Sequence, residues 1–162
     1  MSDDISHLFD RIAREIAHLE AVRARLVPDQ NTVNADWVAR HADEAIFIDR
    51  LDSFGMHLGS TGESVTKKLL PRLLEYAGEP VGSVIDNLNT AHKIGWIDDP
   101  AAWSDFNRVR NTLIHEYLED AAFMASQIQT AVPLVDVIAC DFCQLEAWAS
   151  RYMRTRPDDP TC

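Results

Sequence analysis

Arg110-Asn111-Thr112-Leu113-Ile114-His115-Glu116-Tyr117 lies in a run where Phe106, Val109, Leu113 and Tyr117 recur at intervals of three and four. That spacing draws one apolar stripe along an α-helix. Three side chains in the run carry chemistry. His115 titrates near neutral pH and can take or give a proton. Arg110 is always charged and can clamp a phosphate with paired hydrogen bonds. Tyr117 ends the stripe with a hydroxyl. One base and one guanidinium suffice to cleave RNA without a metal. The base takes the proton of a ribose 2′-hydroxyl, the oxygen attacks the adjacent phosphate, and the guanidinium stabilises the charge that builds on the phosphoryl oxygens.

At about 100° per residue, Arg110 and His115 project roughly 140° apart from a straight helix, whereas Asn111 and His115 share a face. For Arg110 and His115 to converge, the helix must bend or end, or the site must be completed across a dimer. Arg110 falls inside the apolar arc, an unusual place for a charge, and this predicts that the arc meets another surface.

Outward from this run the helical period continues in both directions. Upstream, Ile5, Leu8, Phe9, Ile12, Ile16 and Leu19 predict a helix over 5–26, stopped at Val27-Pro28. A second helical stretch opens at Asn34, a good N-cap, and runs toward Tyr76. Gly55, Gly59 and Gly62 interrupt its pattern and predict a kink, a break or a close helix crossing. They are no phosphate loop, because no strand precedes them and no Gly-Lys-Ser/Thr follows. Ser60 and Glu63 have capping-box spacing, so the helix is expected to stop and restart there. Pro71 implies a bend or a new first turn. After Ala77-Gly78-Glu79-Pro80 a third helix extends to Ile94 and Gly95. Asp98 or Asp99 then caps a fourth, with Pro100 at its first position. The last helix runs from about 120 to 154 with Pro133 inside it, and 156–162 reads as a disordered tail. The expectation is one all-α domain over 1–155, an up-and-down bundle of four or five helices.

A net charge of −11 and 46% hydrophobic residues describe an acidic globular chain rather than a general nucleic-acid binder, which carries a basic face. Arg108, Arg110, Lys93, Lys67, Lys68 and Arg72 could still form a local basic cleft. The acidity equally suits a basic protein partner. No uninterrupted apolar run in the sequence reaches the ~20 residues of a membrane span. The acidic start predicts no signal peptide, and three cysteines predict no disulfide framework. The expected compartment is the cytoplasm. Cys140-Asp141-Phe142-Cys143 has no second pair to complete a zinc site, and its thiols are expected to be buried. The remaining histidines (His7, His18, His41, His57 and His92) lack metal-binding spacing. Neither a metal nor a cofactor is expected. Trp37, Trp96, Trp103 and Trp148 read as core or interface residues.

Arg-x4-His-x-Tyr, at Arg110, His115 and Tyr117, resembles the signature of HEPN domains of the HepT type. Lys67-Lys68-Leu69-Leu70-Pro71, Phe106-Asn107-Arg108-Val109-Arg110-Asn111 and His115-Glu116-Tyr117-Leu118-Glu119-Asp120 extend the likeness over roughly residues 35–150. The resemblance implies a helical homodimer acting as a metal-independent endoribonuclease. Such proteins are toxins neutralised by a cognate minimal nucleotidyltransferase antitoxin. It implies Arg110 and His115 as catalytic residues, Asn111 in support, and Tyr117 as the residue the partner adenylylates. Where the family often carries Arg, Gln and Asp in its second helix, this chain has His57, Gly59, Gly62 and Glu63. Some relatives are non-catalytic subunits that bind the nucleotidyltransferase and its substrate or nucleotide, which is the alternative expectation.

Overall fold

The computed structural model describes the backbone of residues 3–115 and 120–155, and their side chains apart from those of residues 3, 105, 107, 114, 115 and 153–155. Its first element, α1 (Asp3–Leu26), buries Ile5, Leu8, Phe9, Ile12, Ile16, Leu19 and Val22, the stripe its spacing predicts. A short 3-10 turn (Gln30–Thr32) leads to Asn34, whose side chain accepts the Trp37 N–H at 2.8 Å and starts α2 (Ala35–His41).

The predicted second helix is divided at this point. α2 ends after His41, and α3 (Ala45–Glu63) starts beyond Glu44. Trp37, His41 and Phe47 pack their rings together across the corner, and the His41 Nδ1 lies 2.7 Å from the Trp37 carbonyl oxygen. Aromatic packing therefore holds a break that the hydrophobic period alone passes over.

Beyond the corner, α3 does not stop at its glycines. It runs on through a π turn (Ser64–Leu69) into α4 (Leu70–Ala77). Proline has no N–H to donate and its ring crowds the preceding turn. The wider π turn falls immediately before Pro71, which opens α4 in its first turn. The expected stop at Ser60–Glu63 is therefore replaced by a widened turn within a continuous rod. Gly78, at φ 78°, ends α4 in the left-handed conformation that glycine tolerates best, and Glu79 N–H returns to the Leu74 carbonyl.

α5 (Val84–Lys93) begins with a reciprocal cap between Ser83 and Asp86. Asp99 accepts the Ala101 N–H at 2.8 Å and starts α6 (Pro100–His115). Asp120 accepts the Phe123 N–H and starts α7 (Ala121–Thr155), which carries Pro133 within it.

α1 packs on α3, α3 on α6, α6 on α7, and α7 back on α1. These four close a ring around the core. α2 lies on α7, and α5 braces α4 and α6. The fold is all-α, with no strand among the described residues and six helical rods where the period predicts at most five. By length and composition, Ala121–Tyr152 contains a window apolar enough to span a bilayer, half of it buried. Met124, Ile128, Val132, Val135, Ile138 and Phe142 account for that character, and all lie in the core.

Candidate functional site

α6 turns Trp103, Phe106, Val109 and Leu113 into the core, and Arg110 lies beside that stripe. The surface that the arc meets belongs to the same chain. It is the middle of α3, where two glycines let the helices approach. A Cβ placed on Gly62 would come within 2.2 Å of the Phe106 ring, and one placed on Gly59 would lie 2.8 Å from the Arg110 Cγ. Of the three sequence readings for these glycines, the close crossing is the one observed. The Arg110 placement consequently calls for no second protomer.

The Gly59 groove leads the Arg110 stem to Glu63. The Arg110 Nη2 lies 3.7 Å from the Glu63 Oε1, which also accepts from the Lys67 Nζ at 2.9 Å. The hydrogen bond from Lys67 holds the Glu63 carboxyl below its ordinary range. The charges of Lys67, Arg110 and Lys68 reinforce the effect, against some opposing burial. Three cations thus surround one carboxylate, and the group carries a net charge of about +2 on a chain of −11. Among the described residues, the buried Arg110 Nε has no hydrogen-bond partner. Lys67 and Lys68 are exposed on the π turn, an irregularity frequent at functional sites.

The predicted site residues are placed as follows. Arg110 sits at the α3–α6 crossing, part-exposed. Asn111 is exposed on α6. The backbone of His115 is the last residue of α6, and its side chain lies outside the description. Tyr117 lies outside the described residues, as do residues 156–162. Arg72, expected to serve a basic cleft, pairs instead with Asp4 at 2.9 Å. Glu63 is the residue that sequence reasoning missed. Its spacing suggested a capping box, whereas the Ser60 hydroxyl donates to the His57 carbonyl and the Glu63 carboxylate turns to the cations. The signal available was the i, i+4 spacing of Glu63 and Lys67.

Elsewhere, His57 and His18 meet edge to face with ring centroids 4.4 Å apart. Burial lowers the His57 pKa, and the charges of His18 and Arg25 lower it further. Asp141 accepts the Trp103 Nε1–H at 2.7 Å and the Asp98 N–H at 3.3 Å. Cys140 and Cys143, expected to be buried, are both exposed. Among the described residues, no three His, Cys, Asp or Glu side chains gather as a metal site.

Compared with family models, curated proteins and solved structures, the chain matches none.

Proposed function

We propose that this chain is a HEPN-type endoribonuclease resembling the HepT toxins. It cleaves RNA without a metal, in the cytoplasm and as a homodimer, and a minimal nucleotidyltransferase that adenylylates Tyr117 neutralises it. The supporting observation is the Arg110 cluster. A guanidinium is led along a glycine groove to a small positive patch, one helical turn and a half before His115. A scissile phosphate displaces the weak, long Glu63 contact and receives paired hydrogen bonds from Arg110, with Lys67 and Lys68 beside it. His115 takes the 2′-hydroxyl proton and returns one to the leaving 5′-oxygen. Asn111, on the His115 face of α6, supports the imidazole. Because residues five apart on an ideal helix project roughly 140° apart, in this proposal the imidazole acting with a given Arg110 comes from the second copy across a two-fold axis.

A second reading has its own support. The Glu63 carboxylate occupies the guanidinium, and the chain is strongly acidic. Both suit a non-catalytic subunit that binds the nucleotidyltransferase. The two are separated by incubating purified protein with RNA in chelator, beside His115→Ala and Arg110→Ala. The enzyme reading expects cleavage to fall by about 100-fold or more in each variant. Cleavage persisting in both contradicts the mechanism, and no cleavage by any form, with retained nucleotidyltransferase binding, establishes the subunit.

A further inference from the structure

The exposed thiols lie at one end of a groove of about 630 Å³ between the end of α5 and the C-terminal half of α7. Ile94 and Trp96 form one wall, and Cys140, Cys143, Gln144 and Trp148 the other. Three residues apart on a helix, two side chains are neighbours, with Cβ atoms about 5–6 Å apart. We propose that Cys140 and Cys143 chelate a soft, low-coordinate cation, copper(I), through both sulfurs.

A disulfide needs Cβ atoms about 3.5–4.5 Å apart, closer than the usual i, i+3 spacing, so closing one draws the turn in. The two residues between the thiols are anchored and oppose that movement. Asp141 is buried and holds the Trp103 indole and the Asp98 amide, and Phe142 packs on Phe9 at 5.6 Å. An ion bridging the two sulfurs asks for no such movement of the turn.

The donor set then selects the ion. Zinc takes four donors, as do iron–sulfur clusters. No His, Asp or Glu lines this groove among the described residues. Two thiolates alone suit copper(I), which soft sulfur donors favour and which is satisfied by low coordination. The Gln144 Nε2 donates to the Cys140 sulfur at 3.9 Å and to the Asp98 Oδ2 at 3.3 Å. Binding releases one proton from each thiol and forms a bis-thiolate complex of charge −1. Copper stays in the +1 state, so no oxidant or reductant is consumed. Arg151 lines the same groove with a positive charge. Trp96 and Trp148, 4.4 Å apart, wall the site with indole rings that report its occupancy.

The test uses the full chain carrying Cys162→Ser, which removes the remaining thiol. Anaerobic copper(I) is titrated against a chromophoric copper(I) chelator while tryptophan emission is followed. The expected result is one copper(I) per chain with quenched emission. Copper(I) binding is lost to the competing chelator in Cys140→Ser and in Cys143→Ser, each of which leaves one thiolate, and zinc(II) does not compete. Both cysteines are exposed, so serine leaves the fold intact, checked by circular dichroism. RNA cleavage in chelator is unchanged in both variants, which keeps this site independent of the one at Arg110. Affinity unchanged in the serine variants, stoichiometric zinc binding, or ready closure of an intrachain disulfide in air overturns the proposal.

Discussion

Gly59 and Gly62 stand three residues apart on one helix and face different neighbours, and that difference separates folding from function. A methyl group at Gly62 meets the buried Phe106 ring, which has no solvent to move into. Overpacking of this kind costs about 1–3 kcal/mol, against a gain of about 1 kcal/mol in helix propensity for alanine. Gly62→Ala is therefore expected to lower the urea midpoint, with a loss of stability of up to about 2 kcal/mol. At Gly59 the obstacle is the flexible Arg110 stem, so Gly59→Ala should hold wild-type stability while displacing the guanidinium and lowering RNA cleavage. Equal losses of stability in both variants would contradict the assignment. His57 supplies a pH dependence. Its folded-state pKa lies below the unfolded value of about 6.5. The folded chain thus binds fewer protons, and stability present above that value is lost as pH falls through the folded pKa. Urea midpoints between pH 7.5 and 5 should fall more for wild type than for His57→Gln.

At the scale of elements, Asp141 fastens α7 to α6 and to the loop before it. Burial raises its pKa, the hydrogen bonds from Trp103 and the Asp98 amide lower it, and the charges of Asp98 and Asp99 raise it again. A raised carboxylate contributes most below its unfolded value of about 3.9, and that contribution fades as pH rises through the folded value. Asp141→Asn keeps one oxygen for the indole but turns its amide nitrogen toward the Asp98 N–H, so it removes the buried charge together with one long hydrogen bond and is expected to stay within about 1 kcal/mol of wild type in stability at pH 7. Asp141→Leu strands the Trp103 N–H, which costs about 1–3 kcal/mol. Helix ends were the legible part of the sequence. Asn34, Asp99, Gly78 and Gly95 act where their chemistry places them, because caps are local. The break at Ala42–Glu44 and the π turn were not legible. The first is held by rings from two helices, and the second is a backbone adjustment ahead of Pro71 that leaves no apolar gap. The exposure of Cys140 and Cys143 escaped for a related reason: periodicity finds the α7 stripe but not which flank of it a neighbour covers.

For the whole molecule, charge bounds the proposed RNA contact. With −11 overall and three cations gathered at Glu63, the proposed site grips few phosphates. Single-stranded binding releases counterions with a slope of about −0.7 per phosphate contact, so three contacts give a logarithmic salt slope of about −2. A slope several times steeper would place the RNA on a wider basic surface than the Glu63 cluster. The all-α class was readable from periodicity. The contact between Arg110 and α3 was not, since a charge on an apolar arc signals a neighbour without saying whether it belongs to the same chain. In the proposed mechanism Arg110 and His115 drive attack by a ribose 2′-hydroxyl, and the ends left on RNA cut in chelator decide it. That chemistry leaves 2′,3′-cyclic phosphate and 5′-hydroxyl ends, with no cut where the scissile nucleotide is 2′-deoxy. Ends of 3′-hydroxyl and 5′-phosphate, or cleavage indifferent to that deoxy substitution, would contradict it.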